Sequence, residues 1–141
     1  GALSATGARR EALARFGMHL GMAFQITDDL LDYTQPEEIT GKPFGLDLKE
    51  HKVTLPLIAA LGRMAPAGRQ LVARLMEVPD PSDAIVADVI RAVEGAGGLE
   101  YARGRALERA QQAEADLEAL APTPAREALR DCITYAVERR S

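Results

Sequence analysis

The chain has 141 residues, room for one domain around one core. With 47% hydrophobic and 27% charged residues its composition is that of an ordinary globular protein, which excludes disordered, collagenous and low-complexity classes. Seventeen Lys+Arg against 21 Asp+Glu leave a formal net charge of -4, which argues against a nucleic-acid binder or a ligand of anionic membranes.

Good helix formers dominate and period-two alternation is absent, so the chain reads as all-α. A first helix is expected from about Ala8 to Tyr33. Gly17 and Gly21 stand one turn apart inside it, and their cost in a helix suggests close backbone packing there. Pro36 stops that helix. Gln35 to Lys52 holds two prolines, two glycines, four acids and four bases including His51, and reads as a long functional loop. Thr54 is expected to cap the next helix, with Pro56 in its first turn. A further helix covers about Ala67 to Met76, and Val78-Pro79-Asp80-Pro81 breaks the chain. Ser82 caps a helix ending near Gly95, Gly97-Gly98 turns, and a long helix runs from about Leu99 to Leu120. Thr123-Pro124 opens the last helix, where Arg139 and Arg140 suit the dipole. Met18, Met22, Met64 and Met76 read as core or interface filler, and Cys132 as a small buried residue. One cysteine can form neither an internal disulfide nor a zinc site, and a reducing, cytoplasmic setting is the simplest expectation. No apolar run approaches the roughly 20 residues that a membrane span needs.

The chemistry concentrates in residues 21–33. Wound at about 100° per residue, Gln25, Asp28, Asp29 and Asp32 share an arc of roughly 100°. Ala23, Phe24, Ile26, Leu30 and Leu31 fill the rest of the circumference, so most of this surface is expected to be buried. No Lys or Arg lies between Met18 and Gln35. A solvated acidic face would normally be wider and mixed with bases. Three crowded acids instead ask for a cation. All the donors are oxygens, which favours Mg²⁺ or Mn²⁺, and Mg²⁺ is commonly held by one or two carboxylates with substrate phosphates. Lys42, Lys49 and Lys52 in the following loop supply charge for a phosphate.

Phe24-Gln25-x-x-Asp28-Asp29-x-x-Asp32, Gly41-Lys42-Pro43-x-Gly45-x-Asp47-Leu48 and Lys52-x-Thr54-Leu55-Pro56 together resemble the second aspartate-rich region of the trans-isoprenyl (polyprenyl) diphosphate synthases. Asp47 to Ile58 resembles the longer-chain branch, such as octaprenyl diphosphate synthases, and Gly97-Gly98-Leu99-Glu100-Tyr101-Ala102 resembles that family's C-terminal helices. The resemblance implies an all-α helical bundle of the isoprenoid synthase type, usually a homodimer. It implies Mg²⁺-dependent condensation of isopentenyl diphosphate with an allylic diphosphate to a linear all-trans product. Asp28 and Asp29 would face the metals, and Asp32 would lie in their first or second shell. Lys42 and Lys52 would hold the allylic diphosphate, Gln25 would line the site, and Asp47 would support a lysine. The family's first aspartate-rich motif would lie upstream, and the only Asp-Asp pair here is at 28 and 29. Residues 1–141 are therefore expected to be the C-terminal part of such a synthase domain, inactive alone and prone to associate through exposed helices. Two alternatives remain open: a non-catalytic helical subunit of a heteromeric prenyl synthase, and a related terpenoid cyclase.

Overall fold

The computed structural model describes residues 2–34 and 45–139, and those residues hold helices and turns with no strand among them. In chain order the helices are α1 (Ala2–Thr34), α2 (Leu46–Lys49), α3 (Leu55–Leu61), α4 (Pro66–Glu77), α5 (Asp83–Gly95), α6 (Gly98–Leu117) and α7 (Pro124–Glu138). The all-α expectation is met. α1 starts a turn and a half earlier than its apolar pattern suggests, and α6 ends nearly a turn sooner, where the Leu120 N–H closes a tighter turn on the Leu117 carbonyl at 3.0 Å. The expected loop of 35–52 contains α2, and its 35–44 portion, with Pro36, Gly41, Lys42 and Pro43, lies outside the described residues.

The chain divides into two units. The first comprises residues 1–27 and 104–139. Its core joins Phe16 and Ala23 of α1 to Ala110, Ala113 and Leu117 of α6 and Ile133 of α7. Alanines at these positions of α6 leave room for Phe16 and Ile133. Asp116 ties α1 to α6: it accepts from Arg15 Nε at 3.2 Å and from the His19 Nδ1–H at 2.7 Å. Thr123 caps α7 by accepting the Arg126 N–H. Cys132, expected to be buried, is exposed because α7 turns Ile133 and Ala136 inward. Arg139 does not merely terminate α7; its guanidinium stacks on Phe24, 3.9 Å from the ring centre.

The second unit comprises residues 28–103 and the terminal pair. α5 packs on α3 and α4, and its Val86, Val89 and Val93 are fully buried, as are Leu48, Leu57 and Leu75. Ser82 caps α5 through the Ile85 N–H. Thr54 holds the N-cap position of α3 but makes no side-chain cap bond, contrary to expectation; the helix start rests instead on Pro56. The Gly97-Gly98 turn has a steric origin. Gly97 takes φ 78°, and a Cβ on Gly98 would overlap the Pro56 carbonyl and press on Ala60 and Val93. Only a bare backbone lets α6 start against α3.

The close packing expected at Gly17 and Gly21 is not found: a Cβ there would meet nothing within 4 Å among the described residues. Met18, Met22 and Phe24 are exposed, so this part of α1 is less covered than its composition suggests, whereas Met64 is buried as expected.

Two glycine substitutions should therefore move stability in opposite directions. Gly98→Ala should cost about 1–3 kcal/mol through overpacking. Gly104→Ala, inside α6 with open space around it, should add up to about 1 kcal/mol of helix propensity. Urea unfolding followed by circular dichroism reads both.

Candidate functional site

The acidic stripe occupies the last two turns of α1, and the side chains differ sharply in environment. Gln25 is exposed, Asp28 and Asp29 are half-buried, and Asp32 is 3% exposed. Leu30 and Tyr33 are buried beside them, which orients the C-terminal end of α1.

Asp32 reaches forward in sequence. Its Oδ2 accepts the backbone N–H of Asp47 at 3.0 Å, and its carbonyl accepts the Gly45 N–H at 3.3 Å. Gly45 holds φ 64°, and a Cβ there would collide with Val86, so this turn admits glycine alone. α2 follows directly. A four-residue helix has too few internal bonds to persist unaided, and Asp32 takes up one of its unsatisfied N-terminal donors.

α2 leads to Lys52. The Lys52 N–H bonds the Asp47 carbonyl at 2.8 Å. Its Nζ pairs with Glu50 Oε2 at 2.7 Å and stands 3.7 Å from Asp47 Oδ1. Hydrogen bonding to Glu50 and its charge, with Asp47 behind, hold this exposed ammonium above its usual pKa. Asp47, expected from the sequence resemblance to support a lysine, stands in this ion pair with Lys52. Lys42 falls in the 35–44 segment outside the described residues, so the structure brings Lys52 alone of the two lysines into view.

His51 and Tyr33 were not singled out as site residues, and Lys49, expected to supply charge for a phosphate, is paired with a carboxylate. His51 adopts φ 59°, rare outside glycine, and its Nε2–H donates to the Val78 carbonyl at 2.7 Å. Lys49 pairs with Asp83 at 2.5 Å. Together they pin the far side of the α2 turn to the chain around α5. Tyr33 is buried, its hydroxyl next to that of Thr54 but outside hydrogen-bond geometry. Burial pushes its phenol well above the ordinary range, and Asp32, Asp47 and Asp29 add to the shift against the opposing influence of Thr54. Only the dense mixture of turn-forming and charged residues in 45–54 hinted at these contacts.

The donors suit a hard divalent cation: carboxylate oxygens, two of them half-open to solvent, on a stretch of helix without Lys or Arg. Among the described residues no three His, Cys, Asp or Glu side chains converge to hold an ion by themselves. An ion here would complete its shell with water and a ligand's oxygens, which is the habit of Mg²⁺.

The family model "Polyprenyl synthetase" matches residues 1–93. An all-trans-nonaprenyl-diphosphate synthase (geranyl-diphosphate specific) from Rhodobacter capsulatus is 41% identical over 130 residues, 92% of this chain and 39% of that protein. A polyprenyl synthase from Caulobacter crescentus CB15, solved with calcium and isoprenyl diphosphate, superposes with a TM-score of 0.86 at 35% identity, over 95% of this chain and 41% of its own. A geranylgeranyl pyrophosphate synthase from Corynebacterium glutamicum, complexed with isoprenyl diphosphate and magnesium, gives a TM-score of 0.84 at 30% identity over 92% of this chain and 37% of its own. The chain thus spans about two fifths of the length of these proteins and shares their helical fold.

The buried Tyr33 phenol predicts a specific alkaline weakness. Its folded pKa lies above the unfolded value, so above about pH 10 the unfolded chain sheds this proton first. Stability should hold below that pH and then fall by up to about 1.4 kcal/mol per pH unit. Tyr33→Phe should remove that slope and be at least as stable at pH 7, since the hydroxyl it loses makes no hydrogen bond. Urea midpoints of both proteins from pH 7 to 11 check this.

Proposed function

Because the chain belongs to the polyprenyl synthetase family, we propose that it carries part of the active site of a prenyltransferase, one that joins isopentenyl diphosphate to an allylic diphosphate and releases a linear all-trans polyprenyl diphosphate. Residues 1–141 would form the C-terminal part of that synthase domain. The observation that carries the reading is the α1 stripe, in which half-buried Asp28 and Asp29 lead to the buried Asp32, whose carboxylate organises the turn that presents Lys52.

Asp28 and Asp29 hold Mg²⁺, with Mn²⁺ as the alternative, and Asp32 completes the aspartate motif. A divalent metal held there would supply positive charge for the diphosphate. Lys52 and Lys42 bind the same diphosphate. Their ammonium groups favour the ionised leaving group over the intact ester, because negative charge grows on it as the carbon–oxygen bond breaks. Asp47 and Glu50 keep Lys52 protonated and aimed. Gln25, exposed on the same stripe, lines the site beside the diphosphate. The relatives solved with isoprenyl diphosphate and calcium or magnesium support this choice of ligand and ion class.

The active form is a homodimer. Exposed Met18, Met22, Leu107 and Tyr135 support association through these helices. No described helix is long and apolar enough to cross a membrane, and a cytoplasmic setting goes with the reading.

Asp28→Ala in the polypeptide that carries this chain should lower condensation by about 100-fold or more, the scale of losing a metal's charge stabilisation. Radiolabelled isopentenyl diphosphate incorporation measures it, and undiminished turnover would overturn the proposal. The 141-residue chain alone should bind diphosphate weakly, only with Mg²⁺, and condense nothing; calorimetry and the same incorporation assay read the two halves of that expectation.

A further inference from the structure

The three acids of the stripe do not share one environment, and the difference divides their tasks. We propose that Asp32 is a positioning residue that sets where the Lys52 ammonium stands, and that it does not lend its carboxylate to a metal. This rests on the prenyltransferase reading above for what Lys52 does, but not for the geometry.

Asp32 is 3% exposed. A hydrated Mg²⁺ needs an open approach and keeps several waters. Half-buried Asp28 and Asp29 offer such an approach; a carboxylate buried this deeply, with Oδ2 committed to the Asp47 N–H, does not. Its position is over-determined instead. Carboxylate and carbonyl of the one residue grip two N–H groups, those of Asp47 and Gly45, on either side of the left-handed turn. Val86 leaves no room for a side chain at that turn, so the position takes glycine and these two bonds hold its backbone in place.

From Asp47 the constraint passes to Lys52 by two routes. The Asp47 carbonyl accepts the Lys52 N–H, and the Asp47 carboxylate faces Lys52 Nζ. On the far side, Lys49 to Asp83 and His51 to Val78 keep α2 from rotating. A hydrogen bond from a backbone N–H to an ionised acceptor is among the stronger kinds. Without it α2 has too few bonds of its own to stay formed, and the Lys52 ammonium loses its reference point.

The test uses Asp32→Asn and Asp32→Ala in the full polypeptide, with Asp28→Ala alongside. Asparagine keeps an acceptor oxygen for the Asp47 N–H but is a poor ligand for a hard cation. Three readouts are taken: hydrogen exchange of the Asp47 amide without metal, Mn²⁺ affinity in the presence of inorganic diphosphate, and kcat and KM for the allylic diphosphate. Asp32→Asn should keep Asp47 protection, Mn²⁺ affinity and KM within about threefold of the parent, as a retained hydrogen bond requires. Asp32→Ala should lose Asp47 protection and raise KM by about tenfold each, with Mn²⁺ affinity unchanged. A fall in Mn²⁺ affinity of about tenfold or more in Asp32→Asn would make Asp32 a ligand and overturn the proposal. So would unchanged Asp47 protection in Asp32→Ala, and if that variant fails to fold, the Asn variant decides alone. Full condensation by Asp28→Ala would sink the prenyltransferase reading, while the exchange measurement would still judge the Asp32–Asp47 link.

Discussion

Like charges close together on one helix end are costly, and the C-terminal turns of α1 crowd Asp28, Asp29 and Asp32 into five residues without a Lys or Arg among them. The C-terminal end of a helix is itself negative. The chain offsets this crowding in part by burying one acid against backbone donors. Asp32 turns its charge onto the Asp47 N–H, and the bond converts a repulsive position into the anchor of the next element.

That anchor explains how a stretch rich in charge and turn formers holds a defined backbone from Gly45 to Lys52. Left-handed Gly45, four-residue α2 and left-handed His51 are individually weak elements. Each is braced by a partner from a distant part of the chain: Asp32 for Asp47, Val78 for His51, Asp83 for Lys49. Glycine at position 98 performs the same service for α3, letting α6 come against the Pro56 carbonyl. The backbone around Lys52 is thus held from both sides, although its ammonium lies at the surface.

The other unit shows the contrasting solution for an acid. Asp116 meets Arg15 and His19 directly, with both its oxygens engaged by cationic or donor groups from α1. It ties two helices together and leaves no demand for an ion. Asp116 is thus held by side chains of another helix, whereas Asp32 is held by a backbone donor of the following turn.

Helix formers, proline and glycine punctuation, and the Ser82 and Thr123 caps were enough to place the long helices within about a turn, the start of α1 excepted, because these signals act within a few residues. The stripe was equally readable, since helical register alone puts Gln25, Asp28, Asp29 and Asp32 on one side, and the flanking motifs identified the family. Burial was not. Exposed Cys132, Met18 and Phe24, and the open space at Gly17 and Gly21, depend on which surfaces other segments cover, and that is settled by contacts across dozens of residues. The same holds for the division among the three aspartates. Spacing makes them alike; only the folded chain, by bringing the Asp47 N–H fifteen residues along the sequence to the Asp32 carboxylate, makes one an anchor and leaves two half-open to solvent.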